Sequence, residues 1–291
     1  MVSMMQAAAI NFEIRPVLHR DDFYQLLTSS LRSAANGGAE LIVLPEYTIA
    51  PLYTLVTATS EAEAPSLLVP FAQEYVHTLE AASRSLGVTI IGGSFFSDNF
   101  GGITNVCPIT TPHAPTRFQV KNQLVTYEQK IQKLSKGTHL ELLDDKRIGV
   151  LICYDSEFPE YCRSLCEQGM QVLCVPSSTE TIHGFHRVRY SCLARAIENQ
   201  IYVIHAALVG SIGKEPHPES YGSSAIISPC APEFPEGPLL AETMLNHFGI
   251  ATAALDMSRL EIFRNEGEVM NFKDWQTLAT TSIPSRGPLQ A

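Results

Sequence analysis

The sequence is poor in positive charge. Lys and Arg total 20 against 30 Asp and Glu, a formal net charge of −10. An acidic surface is a poor match to phosphate backbones or anionic lipid, so neither nucleic acid nor a membrane is expected as a partner. No apolar run approaches the ~20 residues a bilayer requires. Met1 to Pro16 has no basic stretch followed by an apolar core, the pattern of an export signal. A cytoplasmic location is therefore expected. The seven cysteines are scattered and odd in number, which favours free thiols over a disulfide framework. The absence of Cys-x-x-Cys leaves a thiol redox role without its resolving cysteine. There is also no phosphate-binding loop, dinucleotide fingerprint, zinc-protease motif or Gly-x-Ser-x-Gly elbow. His183 and His186 have no further ligands at compatible spacing, so no metal and no cofactor is expected.

Of the 291 residues, 45% are apolar, enough for one large α/β domain. Strands are predicted at Met5–Ile10, Leu41–Leu44, Val88–Phe96, Ile148–Ile152, Val172–Val175, Ile201–Ala206, Ser223–Ser228 and Gly249–Asp256. Helices are predicted at Asp21–Asn36, Pro70–Leu86, Glu157–Gln168 and Phe185–Asn199. Short strands and turns are expected from Thr104 to Asp144, with a long loop around Pro108, Pro112 and Pro115. Beyond Ile262 the chain reads as irregular. The domain is taken as 1–272, followed by a C-terminal tail, 273–291. Strands alternate with helices but cluster in the middle and at the end, which suggests a layered α/β sandwich.

Three apolar runs end alike, at Pro45-Glu46, at Cys153 and at Pro176-Ser177. In parallel strands these ends converge on one rim, where ligands of open α/β sheets bind. Cys153 follows the buried-strand pattern Ile148–Ile152, and Pro159 suits the first turn of the next helix. A nearby helix N-terminus favours a thiolate. An acid beside a thiol makes a base and nucleophile pair.

These segments resemble the nitrilase superfamily of carbon–nitrogen hydrolases. Leu41-Ile42-Val43-Leu44-Pro45-Glu46 is similar to its glutamate motif, Tyr127-Glu128-Gln129-Lys130-Ile131 to its lysine motif, and Ile148 to Glu160 to its cysteine motif. Arg187–Val203, Gly222–Ile227 and Asp256–Leu260 fit as well, so the resemblance runs from about residue 5 to residue 272. It implies a four-layer α-β-β-α sandwich, and a Glu46, Lys130, Cys153 triad that forms a thioester with a small-molecule amide and releases it to water. It also implies pairing as a homodimer or larger assembly through the helices beside the nucleophile. True nitrilases of the family carry Trp-Glu after the cysteine. Tyr154-Asp155 looks like the amidase branches, so amide rather than nitrile hydrolysis is expected. Tyr154, whose N–H is assigned to the oxyanion, is placed with Thr179, His183 and Phe185 among candidate substrate contacts. Many relatives have a longer segment after the lysine, with a second glutamate. Here Glu141 is the only carboxylate between Gln132 and Asp144, so that glutamate is missing or comes from elsewhere. The alternative readings are a non-catalytic, ligand-binding member of the same fold, or a nitrilase or N-carbamoyl hydrolase.

Overall fold

The computed structural model describes residues 4–143, 147–217 and 219–279. In chain order they form β1 (Met4–Ile14), α1 (Arg20–Asn36), β2 (Leu41–Leu44), α2 (Ala64–Leu68), α3 (Ala72–Leu86), β3 (Thr89–Gly92), β4 (Phe95–Ser97), β5 (Thr104–Thr110), β6 (Arg117–Val120), α4 (Thr126–Lys130) and β7 (Leu142–Leu143). There follow β8 (Ile148–Val150), α5 (Pro159–Glu167), β9 (Val172–Ser177), α6 (Ile182–Asn199), β10 (Tyr202–Gly210), β11 (Ala225–Ile227), β12 (Leu239–Glu242), β13 (Gly249–Asp256), α7 (Met257–Glu266) and α8 (Asn271–Ala279).

Successive strand residues point to opposite faces, and here both faces are apolar. In β1 and β2, Ala7, Ala9, Leu41 and Val43 join a core shared with the second half of the chain, whereas Ala8, Ile10, Ile42 and Leu44 pack with α1 and α3. β2 pairs in parallel with β1 and β3, while β13 runs antiparallel along β1. A second group places β8, β9 and β10 in parallel, with β7, β11 and β12 antiparallel at the margins. Among the described residues the two groups pair only where Phe12–Ile14 of β1 meets Leu208–Gly210 of β10. The shared core lies between them, and Cys162, Leu165, Val188, Cys192 and Ala196 of α5 and α6 cover the far face. This is the expected α-β-β-α sandwich. Cys162 and Cys166 are core side chains.

Three sequence expectations are corrected. Pro108, expected in a loop, lies within β5 opposite Phe118 of β6. On its other side β5 passes from β4 to β3, so no ladder bond is missed there. The strand expected at Val88–Phe96 breaks at Gly93, whose φ is +63°. The segment beyond Ile262 is helical: α7 continues to Glu266 and α8 follows. Arg163 stacks over Phe272 and Trp275, Arg264 also covers Phe272, and the Gln200 side chain bonds Val269 O and Phe272 N. The tail assigned to 273–291 is thus helix up to Ala279; 280–291 lies outside the described residues.

Candidate active site

The Cys153 position is a strained turn. Leu151 N–H still bonds Cys174 O, so the β8 path continues two residues before the chain turns. Cys153 then adopts φ +45° and opens a short 3-10 helix, Cys153–Glu157. A left-handed residue other than glycine costs roughly 1–2 kcal/mol, so its surroundings must hold it. Asp155 N–H bonds Ile152 O, the Ser156 hydroxyl donates to Cys153 O (2.6 Å), and Arg195 Nε donates to Ser156 O (2.9 Å). The thiol is buried; its Sγ donates to Ser178 O (3.7 Å), just past the end of β9, and lies beside the Glu46 carboxylate.

Glu46 lies one turn beyond β2 and is also buried. Its Oε1 accepts from Lys121 Nζ (2.7 Å) and Asn105 Nδ2 (2.9 Å), and its Oε2 from Ser178 N–H (3.1 Å). Lys121 follows β6 directly and spans two carboxylates, its second bond going to Glu128 Oε1 (2.8 Å). Glu128, in α4, accepts from the Tyr47 hydroxyl and from Asn105 Nδ2 (3.3 Å), and its Oε2 takes Val125 N–H (2.9 Å). Burial opposes charge throughout, and the imbalance of two carboxylates to one ammonium sets the directions. Burial raises the Glu46 carboxyl above the usual range, against the pull of Lys121. Burial and then Glu46 push the Cys153 thiol well up. Burial lowers Lys121, but Glu128 and Glu46 outweigh it, so the ammonium is held firmly protonated.

Gly93 shapes the Glu46 turn. A β-carbon there would overlap Pro45 O and crowd Thr48 Oγ1, at a φ that suits glycine. Gly93→Ala is expected to cost about 2–4 kcal/mol and to lower turnover by shifting Glu46. Denaturant melts and kinetics on the same preparation check both effects; unchanged values would show that this turn is free to adjust.

Asp155 ties the cysteine turn to the lysine loop. Its carboxyl accepts from Gln123 N–H (2.6 Å), from Asn122 N–H and from Ile152 N–H. Burial raises it to about 7, against those N–H bonds and Lys121. A raised acid binds its proton more tightly folded than unfolded. Its contribution is full below pH ~4 and is lost as pH rises through about 7. Stability should therefore fall by a few kcal/mol across that window at roughly 1.4 kcal/mol per unit, with this component absent in Asp155→Asn. Parallel urea melts from pH 4 to 8 decide it; identical slopes would refute it.

The predicted site residues divide. Glu46 and Cys153 meet as expected. Lys130 does not join them: it is exposed at the end of α4. Lys121, nine residues earlier, fills the place assigned to Lys130, because the β5–β6 hairpin ends at the site whereas α4 turns its last residue outward. The carboxylate sought after the lysine is present as Glu128, while Glu141 pairs with Arg117 (2.6 Å) and His139 at the sheet margin. Tyr154 is half-buried against Phe158, and its N–H belongs to the helical turn whose donors have no acceptor within the helix. Thr179 is next to Ser178 and bonds Tyr221 O (2.8 Å). Phe185 is buried against His205 and Tyr221, and His183 is exposed. Tyr47, Asn105 and Ser178 also went unrecognised; only the strand ends before Tyr47 and Ser178 offered a signal. An open groove of about 1140 Å³ beside α3 and β4 is lined by none of the clustered groups. Among the described residues, no three His, Cys, Asp or Glu side chains are grouped to hold a metal ion, and no helix is long and apolar enough to cross a membrane.

A buried thiol facing a carboxylate and an ammonium is a constellation for attack on a carbonyl or nitrile carbon. The probable hydrolase YhcX of Bacillus subtilis is 27% identical over 276 residues, 93% of this chain and 53% of its own length. The chain thus spans about half of that relative. Omega-amidase NIT2-A of Xenopus laevis is 24% identical over 239 residues, 78% of this chain and 82% of the relative. The fold is shared with the amidase from Nesterenkonia sp. AN1, a nitrilase-superfamily protein (TM-score 0.71, 19% identity, 94% of this chain and 95% of that one). A variant of that amidase carries the acetamide moiety of fluoroacetamide on its active-site cysteine. The carbon–nitrogen hydrolase family model matches residues 6–265, so the chain belongs to the carbon–nitrogen hydrolase family.

Proposed function

We propose that this chain hydrolyses a small amide through a thioester on Cys153, with Glu46 as general base and acid and Lys121 as the oxyanion-stabilising cation. The single observation that carries the reading is the buried Cys153 thiol beside the Glu46 carboxylate, itself bonded to Lys121 at 2.7 Å. The thiol proton passes to Glu46 as sulfur bonds the carbonyl carbon. Lys121 and the Tyr154 N–H stabilise the oxygen that gains the negative charge. Glu46 returns the proton to nitrogen, the carbon–nitrogen bond breaks, and ammonia or an amine leaves. Water then gives a proton to Glu46 and attacks the thioester. The acid is released and the thiol recovers its proton. Glu128 and Asn105 hold Lys121 and Glu46 in register. Glu128 beside Lys121 supports the catalytic reading over a non-catalytic member.

Incubation of wild type and Cys153→Ala with a panel of small amides, ω-amides and nitriles, and with fluoroacetamide as probe, tests this. Ammonia release and an acyl mass on Cys153 from wild type alone are expected. A nitrile turned over faster than its matching amide would overturn the amide assignment. We also propose a homodimer through α5 and α6, because α6 exposes Ile182, Tyr190 and Ile197. Light scattering at micromolar concentration should give twice the chain mass; a monomer would refute it.

A further inference from the structure

The main chain of Ser178 flanks both reacting side chains: its N–H holds Glu46 and its C=O lies against the Cys153 sulfur. The preceding residues, Pro176 and Ser177, sit opposite Ala206 and Ala207 of β10. Pro176 brings no N–H to the ladder, so side chains fix the strand's end. Ser177 Oγ bonds His205 Nε2 (2.6 Å) and donates to Ala206 O (3.2 Å). His205 is buried in β10, and its Nδ1 accepts from Arg189 Nε (3.1 Å). A guanidinium only donates. Nδ1 is therefore bare, Nε2 carries the hydrogen, and the chain of bonds has one direction: Arg189 to His205, His205 to Ser177, Ser177 to Ala206 O. Burial and the Arg189 charge both keep this imidazole neutral. Arg189 is fixed in turn by Glu242 (2.6 Å), Ser223 O (2.7 Å) and the Phe185 ring, which also stacks on His205.

We infer that Arg189, His205 and Ser177 are positioning residues that set the Ser178 peptide, and through it the geometry of Glu46 and Cys153. This rests on the assignment of Cys153 and Glu46 as reacting groups. None of the three need touch substrate. A glutamine at 205 reproduces the pattern, its carbonyl accepting from Arg189 and its amide donating to Ser177; a leucine does neither.

The test is alkylation of Cys153 by iodoacetamide as a function of pH, followed by peptide mapping, in wild type, Ser177→Ala, His205→Leu and His205→Gln. It needs no substrate. Glu46 and Lys121 face the thiol directly, with the Arg187 charge further off, and all are common to the four proteins. The Ser178 N–H favours both the carboxylate and the thiolate. If that peptide drifts, alkylation moves to higher pH. A shift of at least half a unit is expected in Ser177→Ala and His205→Leu, with His205→Gln close to wild type. Amidase turnover should fall about 10- to 100-fold in the first two and within about three-fold in the third, as for a misplaced catalytic group. Melting curves accompany each variant, and Ser177→Ala, the smallest change, decides the matter if His205→Leu does not fold. Folded variants that share the wild-type profile would overturn the inference. A shifted profile in a protein that hydrolyses no amide would uphold the positioning and reject the amidase reading.

Discussion

Lys121→Met is expected to abolish amide turnover, by at least about 10²- to 10³-fold, and Lys130→Met to leave it within about two-fold. The two lysines lie nine positions apart, in opposite environments. Lys121 is buried between Glu46 and Glu128; Lys130 is exposed at a helix end. Removing Lys121 also leaves two buried carboxylates unpaired, which costs about 3–5 kcal/mol. A dead variant could therefore reflect a damaged fold. The double variant Lys121→Met/Glu128→Gln separates the effects, since it removes the cation and one anion together. It should regain most of the melting temperature and none of the turnover. If turnover returned with stability, Lys121 would be a structural ion-pair partner and the oxyanion would need another donor. Equal loss from Lys130→Met would restore the sequence assignment.

That assignment shows where the sequence was legible. Glu46 and Cys153 end apolar strands buried on both faces, and such runs stand out in a linear pattern. Their convergence followed from parallel pairing, which β2, β8 and β9 adopt within their sheets. Lys121 has no such frame. Its strand is four residues long, begins with exposed Arg117 and enters from the side as a hairpin with β5. Nothing local distinguishes it from Lys130, Lys133 or Lys136. Glu128 follows Lys121 but precedes Lys130, so a lysine motif centred on Lys130 hides this carboxylate within itself. In the structure Lys121, Glu128 and Cys153 gather in that chain order. The tail was misread for a related reason. α7 and α8 are held by Gln200, Arg163 and Arg264, long-range partners that local periodicity cannot reveal.

Glu46→Gln should separate thiol reactivity from catalysis, moving them in opposite directions. The substitution keeps the side-chain shape and an oxygen for Lys121 and Asn105, and the Lys121–Glu128 pair remains neutral. The fold should persist, with a melting midpoint within about 5 °C of wild type. Because burial raises the folded Glu46 carboxyl, its contribution to stability is full below pH ~4 and is lost as pH rises through the folded value. Glutamine lacks this dependence, so the variant gains on wild type toward neutral pH. At the sulfur, the Glu46 charge is a leading reason the thiol resists ionisation, and Lys121 works the other way. Without the carboxylate, Cys153 should ionise more readily and react faster with iodoacetamide at a given pH. Turnover should nevertheless fall about 10²- to 10⁴-fold, because no group remains to protonate the leaving nitrogen or to activate water. Faster alkylation with lost hydrolysis assigns Glu46 to proton transfer rather than to making a thiolate. Slower alkylation together with lost hydrolysis would mean that Glu46 acts mainly by drawing the proton from sulfur. Retained hydrolysis would remove it from the mechanism.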